Sequence, residues 1–273
     1  MRAAHASIHS SAAPAIFVGC CGARKSLKEY SKIFNTLEVQ STFYRLPRKE
    51  TAEKWRKEVP KEFVFSVKCF QGVTHPCTSP TWRRYRGELE GRKENYGLLQ
   101  PTDEVFNSWE GTKEICRVLK AKFCLIQLPA SFRETEENIA NAFEFFRRIK
   151  PQREEFKIAV ELRGWSEENI KRLCAKYNLI DCCDIFAREP VCPPPRTPET
   201  ATNVCPETAT SVAYIRLHGS PPGRKMYSYK YTARDFKILK EKLESLAAKE
   251  IYLYFNNIYM FEDAKRFKKY IQR

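Results

Sequence analysis

The period of apolar and polar positions along this chain switches repeatedly between two and about three and a half. Apolar or alternating runs at 16–20, 36–41, 63–69, 122–128, 157–163, 179–184, 212–218 and 251–256 predict eight strands. Between them the spacing opens to a helical one. Ile139, Phe143, Phe146 and Ile149 fall on one helical face over 135–149, and Pro151 ends that run. Ser166 stands as an N-cap before a stripe of Ile170, Leu173, Cys174 and Tyr177. Thr232 and Asp235 have capping-box spacing before Phe236, Leu239, Leu243 and Leu246. Further helical patterns cover 49–59, 103–120 and 261–271. This alternation predicts a (β/α)8 TIM barrel, formed as a single domain over residues 15–273. A doubly wound open sheet is the alternative. Gly19-Cys20-Cys21-Gly22 is too short for a dinucleotide- or phosphate-binding turn, which counts against it. Two long insertions follow the third and sixth strands, at 70–101 and 185–211; the second is rich in Pro and Thr and is expected to be irregular. Residues 1–14 have no continuous apolar core, do not read as a secretory signal, and are expected to be a disordered extension.

Period two also sorts the polar residues. Alternate side chains of a strand share a face. Ala159, Glu161 and Arg163 therefore oppose Ile158, Val160 and Leu162, and Tyr214, Arg216 and His218 oppose Ala213, Ile215 and Leu217. Glu38 and Gln40 oppose Leu37 and Val39, and Ser66 and Lys68 oppose Phe65 and Val67. Gln127, Asp184, Asn256 and Asn257 close three other strands. The strands thus turn polar toward their C-terminal ends, where a TIM barrel holds its active site. Charges aimed into a barrel mouth must be paired or hydrated. Glu38, Lys68, Glu161, Arg163, Asp184, Arg216 and His218 are expected to form one network, with His75 overhanging it from the Thr74-His75-Pro76 loop. The plainer reading is ion pairs that seal the barrel, Glu161 with Arg163 or Glu38 with Lys68. The convergence of many such residues at one end favours a site.

Composition then adds one theme. In 273 residues, 48 Lys and Arg outnumber 33 Asp and Glu, a formal charge of +15. Hydrophobics at 42% support a large core and exclude a wholly disordered or collagen-like chain. No apolar run reaches the ~18–20 residues of a membrane helix, and a cytoplasmic protein is expected. The basic excess makes nucleic acid a partner to consider. In the first insertion, Trp82, Arg83 and Arg84 are followed by Tyr85 and Arg86. They read either as phosphate contacts with base stacking or as a solvated loop. None of the 11 cysteines forms a CxxC pair, which speaks against a zinc ribbon. Cys192 and Cys205 flank the proline-rich insertion and are placed to clip it, although a disulfide would be unusual inside most cells.

Several segments together resemble the YecE-like family, known as domain of unknown function 72. Glu38-Val39-Gln40-Ser41-Thr42-Phe43-Tyr44 is similar to its "EVNSTFY" block. Trp55, Pro60 and Phe63-Val64-Phe65-Ser66-Val67-Lys68 resemble "W…P…F.FSVK", and Thr74-His75-Pro76 carries its "TH". Gln127-Leu128-Pro129 with Ser131-Phe132, Val160-Glu161-Leu162-Arg163 with Trp165, Arg216-Leu217-His218-Gly219 and Tyr254-Phe255-Asn256-Asn257 resemble the remaining blocks. The likeness runs from Ile16 to Phe267. Gln40 stands where the family usually has Asn, and Ala23 where it often has Trp; the first insertion looks like the archaeal branch. The resemblance implies a TIM barrel related by fold to sugar isomerases. It implies no settled activity, since fold does not fix function.

Three functions are compatible with these residues. The first is an enzyme on a phosphate-bearing substrate, including nucleic acid, in a hydrolase- or nuclease-like reaction. Glu161 or Glu38 would be the general base, His218 or His75 the acid, and Lys68, Arg163 and Arg216 the phosphate neutralisers. Glu38, Glu161, Asp184 and His218 would hold a divalent metal, Mg or Mn. Substrate contacts are expected from Tyr44, Gln127, Trp165, Asn256, Asn257, Trp82, Arg83 and Arg84. The second is a sugar or sugar-phosphate isomerase or aldolase-like enzyme, in which a desolvated Lys68 would form a Schiff base. The third is a non-catalytic binder of nucleic acid or a metabolite.

Overall fold

The computed structural model describes residues 13–192, 212–219 and 226–272. Its strands are β1 (Ala15–Cys20), β2 (Thr36–Val39), β3 (Val64–Lys68), β4 (Phe123–Gln127), β5 (Lys157–Glu161), β6 (Ile180–Cys183), β7 (Val212–Leu217) and β8 (Glu250–Phe255). All strand pairs are parallel, in the order β1-β8-β7-β6-β5-β4-β3-β2. The ends of that row meet. Just beyond β1, Cys21 bridges Glu38 of β2, and Gly22 N–H donates to Glu38 O at 2.9 Å. The sheet is therefore a nearly closed barrel rather than the open alternative. Gly19 permits the closure, because a Cβ there would stand 2.4 Å from Thr36 O.

The helices are α1 (Leu27–Tyr30), α2 (Ser41–Tyr44), α3 (Lys49–Lys57), α4 (Gln71–Thr74), α5 (Asp103–Leu119), α6 (Glu136–Ile149), α7 (Glu167–Tyr177), α8 (Ala233–Glu244) and α9 (Met260–Ile271). The caps are those the sequence signals. The Ser166 side chain accepts from Asn169 N–H, and Thr232 and Asp235 form a reciprocal capping box. The single-turn α1, α2 and α4 are too short to leave a periodic signal.

Period two divides the core as expected. Phe65, Val67, Ile158, Val160, Ile215 and Leu217 face outward and pack with helix residues such as Trp109, Phe145, Leu173, Leu239 and Phe267. Phe123, Leu125, Ala159, Ile180, Cys182, Tyr214, Tyr252 and Tyr254 fill the barrel. Three interior tyrosines put hydroxyls into this core, and each has a partner. Tyr254 bonds Thr36 Oγ1 at 2.7 Å, Tyr214 bonds Ser66 Oγ at 2.6 Å, and Tyr252 accepts from Lys122 Nζ at 2.7 Å.

The first insertion is built rather than loose. Gly97 N–H donates to Gly72 O at 2.8 Å, and Glu104 accepts from Arg92 N–H and Asn95 Nδ2, each at 2.9 Å. The expected extension at 1–14 falls almost wholly outside the described residues. The same holds for most of the second insertion, and Cys205 of the expected Cys192–Cys205 clip lies there too. Among the described residues no helix is long and apolar enough to cross a membrane.

Candidate active site

Arg216 is the hub of the C-terminal mouth. Its place on β7 aims it inward, and it is fully buried. Nη1 donates to Glu161 Oε2 at 2.5 Å and to Gln127 Oε1 at 2.9 Å. Nη2 lies 3.1 Å from Glu38 Oε1 and 3.7 Å from Cys21 Sγ. Glu38 also accepts from Tyr214 OH at 2.6 Å and from Gln40 Nε2. Glu161 Oε1 accepts from Arg163 Nε at 2.6 Å. Two carboxylates thus alternate with two guanidiniums, so the cluster is close to neutral and buried charge is compensated.

Burial alone would raise the Glu161 carboxyl. Arg216, then Arg163, instead hold it well below the usual carboxylate range. A carboxylate held that firmly ionised is a poor proton acceptor. Glu38 has its oxygens spent on Arg216, Tyr214 and Gln40. The general-base role expected for Glu161 or Glu38 therefore does not fit this geometry; both position Arg216.

The expected metal quartet is also not assembled. Glu38, Glu161, Asp184 and His218 do not converge, and among the described residues no group of three or more His, Cys, Asp or Glu side chains could hold a metal ion. Arg216 occupies the space between the two glutamates. Asp184 is engaged with backbone instead, accepting from His218 N–H at 2.8 Å and Phe186 N–H at 3.0 Å. The ligand types would suit Mg or Mn, but with Arg216 between the glutamates their placement does not fit either ion.

His218 carries the clearest acid–base geometry. Its Nδ1 is 3.4 Å from Asp184 Oδ2, and its Nε2 is 3.0 Å from Arg163 Nη2 and 3.8 Å from Glu161 Oε1. A guanidinium can only donate, so Nε2 is the acceptor and Nδ1 carries the proton toward Asp184. Arg163 keeps 34% of its side chain exposed. Glu161, Arg163, Trp165, Asp184, His218 and Met226 line a cleft of about 330 Å³. Trp165 is fixed as its wall, stacked on Phe132 and donating Nε1–H to Phe132 O at 3.0 Å. Cys182 also faces the cleft, but burial pushes its thiol well up, so it stays protonated.

Lys68 and His75 form the other side of the mouth. Lys68 Nζ lies 4.1 Å over the Phe43 ring and makes no hydrogen bond or ion pair among the described residues. The expected Glu38–Lys68 pair is replaced by Glu38–Arg216. Burial, with Arg216 nearby, brings the Lys68 ammonium down to about 8, against opposing pulls from Glu38 and Glu161. His75 bonds Thr74 Oγ1 through Nδ1 at 2.8 Å and meets Phe43 edge-on. Burial, then the charges of Lys68 and Arg163, hold its imidazole down to about 3. It is neutral at physiological pH and cannot serve as the acid expected of it.

The remaining expected residues are dispersed. Asn256 is half-buried just past β8. Asn257 turns away, donating to Tyr229 O at 2.7 Å and Asp263 Oδ2 at 2.8 Å. Trp82 is packed among Phe70, Tyr85 and Tyr96 and donates to His75 O at 3.0 Å, so it braces the loop and is not free for base stacking. The Tyr44 ring is covered by Arg84 at 4.7 Å. Arg83 and Arg84 are exposed. Phe43 and Tyr227 were not singled out by sequence. Tyr227 meets the His218 ring edge-on at 5.8 Å. The sequence signal for Phe43 is its place in the Glu38–Tyr44 block that resembles the family's, in the Ser41–Tyr44 turn after β2.

Fold and mouth define a (β/α)8 barrel protein with a buried arginine–carboxylate cluster at the C-terminal ends of its strands. The chain belongs to the family described as Protein of unknown function DUF72, which it matches over residues 14–273. It is 26% identical over 256 residues to the UPF0759 protein YunF of Bacillus subtilis (strain 168), covering 86% of this chain and 81% of that protein. Crystal structures of DUF72 family proteins from Enterococcus faecalis V583 and Thermotoga maritima MSB8 both superpose with a TM-score of 0.63, at 21% and 22% identity. Each likeness covers 95% of this chain, and 98% and 100% of the other.

Proposed function

We propose that the protein is an enzyme that performs acid–base chemistry on a phosphate-bearing substrate at the C-terminal barrel mouth. The observation that carries this reading is His218 held between Asp184 and Arg163, at 3.4 and 3.0 Å. Asp184 Oδ2, 3.4 Å from Nδ1, favours the ring proton on that nitrogen. Arg163 is partly exposed and can exchange its bond to Nε2 for an anionic oxygen entering the cleft. That exchange frees Nε2 to take a proton from, or return one to, the reacting group. Glu161 then restrains Arg163, and Arg216 restrains Glu161.

A nucleic acid is the extended form of such a substrate. The excess of 48 basic over 33 acidic residues and the exposed Arg83 and Arg84 support it, through phosphate contact rather than stacking. The test compares wild type with His218→Asn on short single- and double-stranded DNA and on phosphorylated sugars, with Mg or Mn added. Turnover that falls by about 10²–10⁴ in the variant supports the reading. Turnover that survives it removes His218 from the chemistry. Salt-dependent binding with no turnover on any substrate favours a binder instead.

A further inference from the structure

Among the described residues, Lys68 is the strongly shielded ammonium at the mouth that has no part in the His218 chemistry. It is 8% exposed. Among the described residues its neighbours are few. Phe43 from α2 lies under Nζ, and His75, after α4, stands beside it as a neutral ring. Glu38 of β2, Glu161 of β5 and Cys21 after β1 are all turned to Arg216 of β7. A buried ammonium without a carboxylate partner is costly. Sequences usually avoid the cost by placing the charge elsewhere or pairing it. Here the two nearest carboxylates are committed to another cation, and the lysine keeps only an aromatic face.

We infer that Lys68 is a nucleophile that forms an imine with an aldehyde of the phosphate-bearing substrate. The phosphate part rests on the reading above; the lysine part stands on its own geometry. The neutral Nζ attacks the carbonyl carbon and forms a C–N bond. Nitrogen loses one proton, the former carbonyl oxygen gains two in all, and the C–O bond breaks to release water. The product is a protonated C=N bond, so the net change is uptake of one proton and loss of one water. The aromatic face and burial favour the neutral amine needed for attack, and an ammonium down to about 8 supplies it near neutral pH. The shared chemistry has two sources: a small phosphorylated aldose, or the open-chain sugar of an abasic nucleotide in DNA.

The experiment is reductive trapping on the full chain at pH 7.5, with cyanoborohydride as hydride donor to the imine carbon. The probes are glyceraldehyde 3-phosphate, glyceraldehyde, and an oligonucleotide with one abasic site. Peptide mass mapping then locates the secondary amine. Lys68 is expected to label about tenfold faster than the average surface lysine, whose ammonium is almost wholly protonated at that pH. Its labelling rate should level off above pH ~8 while the others still climb. Lys68→Arg should lose the fast label. Trapping by the triose phosphate alone names small sugars, and trapping by the oligonucleotide alone names DNA; both support the lysine. Equal trapping by glyceraldehyde retires the phosphate reading and leaves the lysine standing. His218→Asn should abolish turnover without abolishing the label, so the two readings fail separately. A label spread evenly over the lysines of wild type overturns the inference, whatever the folding of the variant.

Discussion

Arg216 Nη1 and Glu161 Oε2 meet at 2.5 Å inside the barrel, and neither side chain has useful access to bulk water. Such a pair is weak evidence for stability as a whole, yet breaking it from one side is costly. Glu161→Gln keeps the shape and removes the charge that offsets Arg216 and Arg163. Urea unfolding at pH 7 should show a loss of about 3–5 kcal/mol. Glu161→Gln combined with Arg216→Met should lose less than the sum of the single changes, because the second removes the stranded charge. Additive losses would show that the two residues are not coupled.

Which side chains enter the mouth was legible because period two is strict. Once Ile158, Val160 and Leu162 face the helices, Glu161 and Arg163 must face the barrel, and the same parity places Arg216 and His218. Pairing was not legible. Glu38 has Lys68 on the neighbouring strand, and only the three-dimensional barrel shows that Arg216 reaches across from β7 to take both Glu38 and Glu161. That one side chain also removes the metal site and the general base the strand ends had suggested. Asn257 misled for a related reason. It follows Asn256 at a strand end, but its parity points outward, to Asp263. Trp82 sits in a basic segment, and composition does not reveal that Phe70 and Tyr96 enclose it.

His75 should give the protein an acid-sensitive limb. Its imidazole is held down to about 3, against an ordinary 6.5. Between those values the unfolded chain binds a proton that the folded chain refuses, so stability rises with pH across that window. The contribution is fully present above pH ~6.5 and is lost as pH falls toward 3, by roughly 2–4 kcal/mol. Urea midpoints measured at pH 7 and 4.5 should converge in His75→Asn, whose amide can still face Thr74. A variant as acid-sensitive as wild type would assign the limb to other groups.

Helix α5 ends on a strained residue. Lys120 takes φ 49 and ψ 48, the left-handed conformation, and is exposed. Glycine adopts this conformation without the Cβ clash, at the usual position for it after a helix. Lys120→Gly should stabilise the protein by about 1 kcal/mol, read as a higher urea midpoint with an unchanged slope. The same change at Arg117, inside the helix, should destabilise by about 1 kcal/mol. Stabilisation at both positions would mean that charge, not backbone conformation, is responsible.

The tautomer of His218 is the prediction that reaches the site without knowing the substrate. Arg163 donates toward Nε2, so that nitrogen has no proton, and the ring proton sits on Nδ1, 3.4 Å from Asp184 Oδ2. Ring nitrogen shifts in labelled protein at pH 8 should show the Nδ1–H form at this residue. In Asp184→Asn the amide can turn its NH2 toward Nδ1, which favours the Nε2–H form. A proton there faces the N–H of Arg163, and the two donors repel. Arg163 should then leave Nε2, which adds exposure to a side chain that starts at 34%. Glu161 Oε1 still holds Arg163 through Nε at 2.6 Å and Nη2 at 2.5 Å, so the fold should remain intact. Activity, once a substrate is in hand, should fall with the tautomer because Nε2 no longer accepts a proton. An Asp184→Asn protein that keeps the Nδ1–H form would show that Arg163 alone sets the tautomer, and the acid–base role would then pass to the Arg163–His218 contact without Asp184.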